Sequence, residues 1–128
     1  MNFYLLDAGA PGLIFAVLIV FMIIIVILEW VIMILLKYNK AGKAFTDSLL
    51  INLFSMGVGY IILFTRDELF DMTDSVLLNV FILFAITVVA EFGLLYLLNK
   101  TKPVQKTLLT TVIINLASYI IYYLLQVN

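Results

Sequence analysis

Four long apolar stretches, separated by short polar segments, make up most of the chain. They are predicted at residues 13–36, 45–64, 75–98 and 107–125. At a rise of about 1.5 Å per residue, each is long enough to cross a hydrocarbon core of roughly 30 Å. The pattern therefore predicts an all-α membrane protein with four transmembrane helices.

Composition agrees with this prediction. The chain has 128 residues, of which 66% are hydrophobic and 12% are charged, and its mean hydropathy is +1.24. A soluble domain is about one-quarter charged, so this is the composition of a membrane protein. Little polar sequence remains for a soluble module, and residues 1–128 are predicted to form a single transmembrane domain.

The basic residues are concentrated in two of the connections. Six of the seven follow the first and third spans: Lys37, Lys40, Lys43, Lys100, Lys102 and Lys106. The positive-inside rule predicts that these loops are cytoplasmic and that both termini lie outside, as in a bacterial cytoplasmic membrane. The lysines are also expected to contact anionic lipid headgroups. The mostly acidic connection at residues 65–74 is predicted to lie outside.

Two acidic residues, Glu29 and Glu91, interrupt apolar spans. A carboxyl at such depth costs a few kcal/mol, so its presence needs a reason. By the predicted boundaries, these residues lie about 12 Å from the loop side, and so do two asparagines on the neighbouring spans. The candidate site is this polar layer, with one serine a turn beyond each asparagine: Glu29, Asn52, Ser55, Glu91, Asn115 and Ser118.

The two halves of the layer correspond in sequence. When Glu29 is aligned with Glu91, one extra residue in the second loop brings Asn52-Leu-Phe-Ser55 onto Asn115-Leu-Ala-Ser118. This match predicts that a helical hairpin was duplicated, with repeats at 13–64 and 75–125. Both repeats run in the same direction through the membrane, so their symmetry axis is expected along the membrane normal.

Two interpretations of the layer remain open. In the first, neutral carboxyls and amides only hold the helices in register, through bonds of roughly 0.6–2 kcal/mol each. In the second, Glu29 and Glu91 take up and release protons or hold a cation together with asparagine and serine oxygens. The sequence leaves open whether these groups meet within a hairpin or between hairpins.

Three features outside the layer also carry predictions. Asp47 is placed in the first turn of the second span, where a carboxylate suits the helix dipole. Gly57, Gly59 and Gly93 are expected to allow close helix packing. Tyr38 is expected to lie at the inner membrane interface.

Cysteine and histidine are absent from the chain. Their absence excludes thiol nucleophiles, the common zinc-ligand sets and the usual near-neutral base. No enzymatic activity, metal or cofactor is therefore predicted. The chain carries no basic surface that would suit nucleic acid. The expected partners are the lipid bilayer, a second copy or a larger membrane complex, and a proton or cation.

The sequence favours a small non-enzymatic accessory or assembly subunit that packs in the membrane against itself or a larger complex. The alternative is a proton- or cation-linked transporter or channel that uses Glu29 and Glu91. No family is assigned from the sequence.

Overall fold

The computed structural model describes residues 11–65 and 75–127 of the chain. They form four α-helices: α1 (Pro11–Leu35), α2 (Ala41–Thr65), α3 (Val76–Leu98) and α4 (Val104–Val127). All four are long and apolar enough to cross a membrane. The predicted all-α fold with four transmembrane helices is confirmed, and the chain is an integral membrane protein.

Two helices extend further into the basic loops than the hydropathy pattern indicated. Helix α2 begins at Ala41 and α4 begins at Val104, so that Lys43 and Lys106 are helical rather than in loops. This happens because charged and polar residues such as lysine and glutamine can form helix outside the hydrocarbon core. The acidic connection predicted at 65–74 lies almost entirely outside the described residues.

Helix α1 ends in a Schellman motif. The Tyr38 N–H donates to the Met33 carbonyl at 2.9 Å, and the Lys37 N–H donates to the Ile34 carbonyl at 2.9 Å. Lys37 takes the left-handed conformation, with φ of 51°, at a position where glycine is the usual residue. The side chains of Met33 and Tyr38 are both fully buried, which supplies the apolar contact that accompanies this motif.

The helices form a ring in chain order. Helix α1 packs against α2 and α4, and α3 packs against the same two neighbours. We call α1 and α2 hairpin one, and α3 and α4 hairpin two. The end of the bundle that carries the two short loops, at 36–40 and 99–103, is the loop end, and the opposite end is the terminal end.

The apolar core lies mainly in the half of the bundle nearest the loops. Its fully buried members are Met33, Tyr38, Ala44, Ile51, Leu95 and Ile114. In the apolar windows of the spans, 28% of α2 and 33% of α4 is buried, against 22% of α1 and 11% of α3. The even-numbered helices therefore contribute most to the interior.

The three glycines do not act as predicted within this bundle. A Cβ atom built on Gly57, Gly59 or Gly93 would meet nothing within 4 Å. The prediction that they allow close helix packing is therefore wrong for contacts inside the chain, because their small size is not needed for any neighbouring helix described here.

Candidate intramembrane binding site

Glu29 and Glu91 lie at matching heights on α1 and α3, and both carboxyls point into the bundle. Their exposed fractions are 1% and 2%. In this setting a carboxyl needs hydrogen-bond donors, since lipid supplies none. Helices α2 and α4 provide those donors.

The asparagines bond to the glutamate of their own hairpin. Asn52 donates from Nδ2 to Oε2 of Glu29, and Asn115 donates from Nδ2 to Oε2 of Glu91 at 2.7 Å. Each amide also donates to the carbonyl four residues earlier, at Ser48 (2.9 Å) and Thr111 (3.0 Å). These second bonds fix the amide orientation, so that N–H groups rather than oxygens face the carboxyls.

The serines face the glutamate of the other hairpin. Ser118 donates from Oγ to Oε1 of Glu29 at 3.0 Å. The Ser55 hydroxyl donates to the Asn52 carbonyl at 3.3 Å and lies close enough to the Glu91 carboxyl to interact with it. Each glutamate thus receives an amide bond from its own hairpin and faces a serine hydroxyl of the opposite one, which answers the question that the sequence left open.

The two halves of the layer are not equivalent. Ser48 is a third donor to Glu29, at 3.3 Å, and also bonds to the Val26 carbonyl at 3.0 Å. The hydroxyl of Thr111, at the corresponding position in hairpin two, donates instead to the Thr107 carbonyl at 2.9 Å. Glu29 therefore has a more complete set of donors than Glu91.

A central cavity of about 510 Å³ reaches both carboxyls. All four helices contribute to its walls, and the six predicted site residues all line it. From Glu91 it extends towards the terminal end as far as Asn79, twelve residues earlier on α3. That separation corresponds to about 18 Å along the helix. The structure therefore brings the predicted layer together at the deep end of a long cavity.

The charged side chains among the described residues of this cavity are all acidic. Among the residues that the structure describes, the hydrogen-bond donors to Glu29 and Glu91 are neutral amides and hydroxyls, and the cavity lining includes no lysine or arginine. The two carboxyls also interact electrostatically with each other. Because repulsion between two anions in a weakly polar site is costly, this arrangement favours occupation by protons or by a cation.

A second polar cluster closes the loop end, and the sequence reading missed it. Asp47 is only 1% exposed and accepts bonds from Lys43 Nζ (2.9 Å), Asn39 Nδ2 (2.6 Å) and Asn99 Nδ2 (2.9 Å). We call these four residues the Asp47 cluster. The predicted place of Asp47 in the first helical turn is wrong, because α2 begins at Ala41 and the carboxylate lies in the second turn.

Further bonds join the hairpins beside the Asp47 cluster. The Tyr38 hydroxyl lies 2.9 Å from Thr107 Oγ1, and Lys106 Nζ donates to the Lys37 carbonyl at 3.0 Å. Burial raises the pKa of the Tyr38 phenol above its ordinary value. The Tyr38 side chain is fully buried in the protein, and its place at the inner membrane interface stays a prediction.

The six lysines that the sequence analysis placed in the loops divide into two groups. Lys43, Lys102 and Lys106 contact the protein, with Lys102 Nζ lying 5.3 Å from the centre of the Tyr38 ring. The side chains of Lys37, Lys40 and Lys100 are exposed. The second group is placed to meet lipid headgroups, as the sequence predicted for all six.

Comparison of the chain with known protein families, with curated proteins and with solved structures finds no match. The functional argument therefore rests on the site itself.

Proposed function

We propose that this protein is a proton- or cation-linked transporter or channel in which Glu29 and Glu91 bind the transported or coupling ion. The central cavity is the observation that carries the proposal, because it reaches both carboxyls from the terminal end. A layer that served only to hold helices in register would need no such space. Buried membrane carboxyls that face a cavity are typical of ion and proton pathways.

The difference between the two ends of the bundle favours a carrier over a continuous pore. Bonds between the hairpins close the loop end, including Asn99 to Asp47 at 2.9 Å and Asn39 to Asn99 at 2.8 Å. The cavity extends the other way. One-sided access to a midplane site is the arrangement that alternating access requires.

The predicted topology and duplication form part of this proposal. With the lysine loops in the cytoplasm, the cavity extends towards the outside. The contacts between hairpins, from Ser118 to Glu29 and between Ser55 and Glu91, are what two hairpins related by an axis along the membrane normal would make. A rotation about such an axis does not exchange the two sides of the membrane. Release of the ion to the cytoplasm therefore requires the loop end to open.

Flux through reconstituted protein tests the proposal. We expect purified protein in liposomes to carry a proton or monovalent-cation flux that the double variant Glu29→Gln/Glu91→Gln abolishes, because glutamine keeps the shape but loses the charge. The matched control is Asp67→Asn/Glu68→Gln, which removes two negative charges from the acidic connection, and we expect it to retain flux. Equal flux in wild type and in a folded Glu double variant would overturn the proposal.

An accessory or assembly subunit remains the second candidate, and one observation favours it. Gly93 lies in a groove between α2 and α3, together with Phe54, Val58 and Ala90, and a Cβ on Gly93 would touch nothing. Small residues on a lipid-facing surface are typical of contacts with another transmembrane helix.

Cross-linking in membranes tests this second candidate. If the groove is an assembly surface, Gly93→Leu should abolish self-association or association with a larger complex. The Glu29→Gln/Glu91→Gln variant, whose groove is unchanged, should remain assembled. Unchanged assembly in Gly93→Leu would remove the structural support for this candidate.

A further inference from the structure

The central cavity has a thin side wall between the terminal-end halves of α3 and α4. A second, shallower groove of about 280 Å³ lies on the outer surface there. Val80, Tyr119 and Tyr122 line both this groove and the central cavity. A single layer of side chains therefore separates the site from the membrane.

The outer side of this wall faces the acyl chains. Tyr123, Leu124 and Ile120, which complete the groove, have exposed fractions of 65%, 54% and 51%. Val80, in the wall itself, is 42% exposed. A molecule dissolved in the bilayer could thus reach the cavity between α3 and α4 without first entering water.

The inner side of the wall offers an apolar and aromatic surface. Ile25, Val80 and Leu83 line the cavity beside Tyr119. The Tyr119 hydroxyl lies 3.1 Å from Thr87 Oγ1, and its ring meets the Phe84 ring edge-on at 5.2 Å between centroids. This ring is held in place, and aromatic faces attract organic cations.

The same chemistry disfavours two other occupants. A bare metal ion prefers a cage of oxygens, whereas Asn52 and Asn115 turn N–H groups towards the carboxyls, and the described residues include no cluster of three metal-ligating side chains. A zwitterionic lipid would bring a phosphate beside two carboxyls, where the described part of the lining has no lysine or arginine.

We propose that the cation bound at Glu29 and Glu91 is amphiphilic, with a positively charged head at the carboxyls and an apolar part in the gap between α3 and α4. This inference rests on the proposed function and names its ligand class. It follows from the combination of an acidic deep end, an apolar and aromatic lining, and a wall only one side chain thick between the cavity and the lipid.

Binding of an alkyltrimethylammonium series tests the inference. Tetramethylammonium, butyltrimethylammonium and octyltrimethylammonium are titrated against full-length protein in nanodiscs of zwitterionic lipid. Partition into the lipid is removed by subtracting the signal of nanodiscs that carry Glu29→Gln/Glu91→Gln. Because each buried methylene adds to binding, we expect at least a tenfold gain in affinity from the butyl to the octyl compound. Octylphosphocholine, which has the same chain but no net charge, should not compete.

Val80→Trp tests the route between α3 and α4. Filling the wall should weaken octyltrimethylammonium binding at least tenfold and change tetramethylammonium binding less than twofold. Val89→Trp is the matched control, since Val89 is 70% exposed on the same helix and lines the separate α2–α3 groove. It should alter neither affinity.

The outcomes separate this inference from the proposed function. Three outcomes of glutamate-dependent binding would overturn the proposal of an amphiphilic ligand. They are equal affinity across the series, no effect of Val80→Trp, and competition by octylphosphocholine. Glutamate-dependent proton flux without glutamate-dependent binding of any ammonium compound would also overturn it, yet leave the proposed function standing. If neither flux nor binding depended on the glutamates, both would fail.

Discussion

Three buried carboxyls lie in two places in this bundle, and their surroundings differ. Asp47, at the loop end, is 1% exposed and has a cation, Lys43, together with two amide donors. Glu29 and Glu91 are just as buried, at 1% and 2%, yet their donors are neutral and a cavity of about 510 Å³ lies beside them.

The comparison separates an acid with a structural role from the two acids that we propose bind a cation or proton. Asp47 has a charge partner within the chain, and its bonds hold the two hairpins together. The glutamates have each other's charge nearby and open space in front of them. Burial alone therefore does not identify a site, whereas burial together with missing charge compensation and adjoining space does.

The largest expected effect on stability comes from removing Asp47. Asp47→Ala should lower the free energy of unfolding by about 2–3 kcal/mol, because the half-buried amide of Asn39 and the buried amide of Asn99 lose an acceptor. The ion pair itself adds little, since Lys43 is half exposed. Denaturant unfolding in micelles, followed by far-UV circular dichroism, measures the change.

The matched comparison for Asp47→Ala is the Glu29→Gln/Glu91→Gln variant. It should lose less than about 1 kcal/mol, because glutamine still accepts bonds from the same donors. Similar losses in the two variants would contradict the distinction between structural and binding carboxyls.

A smaller effect should distinguish the two glutamates. Asn115→Ala is expected to cost about 1–2 kcal/mol and Asn52→Ala about 0.6 kcal/mol, because Glu29 retains Ser48 and Ser118 as donors whereas Glu91 retains only Ser55 among those described. The same unfolding assay measures both. A larger loss of stability for Asn52→Ala than for Asn115→Ala would show that the remaining donors do not determine the cost of removing an asparagine.

The bonds between hairpins can be tested by double-mutant cycles. Ser118→Ala should cost about 0.6–1 kcal/mol alone and should couple to Glu29→Ala but not to Glu91→Ala, since Ser118 donates to Glu29 and alanine removes the acceptor. Ser55→Ala is the control and should show the opposite coupling. Coupling of both serines to one glutamate would contradict the crossed arrangement.

The smallest effect should be a gain at the loop end. Lys37→Gly should stabilise the protein by about 0.5–1 kcal/mol, because glycine adopts the left-handed conformation without the steric cost that lysine bears. Cation binding at the glutamate layer should not change. Lys40→Gly in the same loop, where no positive φ occurs, should give no gain, and an equal gain there would remove the backbone explanation.

Much of the fold could be predicted from local pattern. The four spans follow from hydropathy, and Glu29 and Glu91 stand out because a carboxyl is rare in such a stretch. Helix starts in the basic loops were missed, since hydropathy reports where hydrocarbon ends rather than where helix ends. The role of Asp47 was missed because its partners, Asn39 and Asn99, come from two different loops.

The polar layer that first marks this sequence was predicted by the sequence alone: four residues at one depth, with a serine one turn beyond each asparagine, in two similar strings. Only the tertiary structure decided that Asn115 serves Glu91 while Ser118 serves Glu29, and that a cavity reaches both carboxyls. The reason is physical. Depth and helix face depend on spacing along the chain, whereas donor pairing and open space depend on how whole helices rotate and cross, which many distant contacts set together.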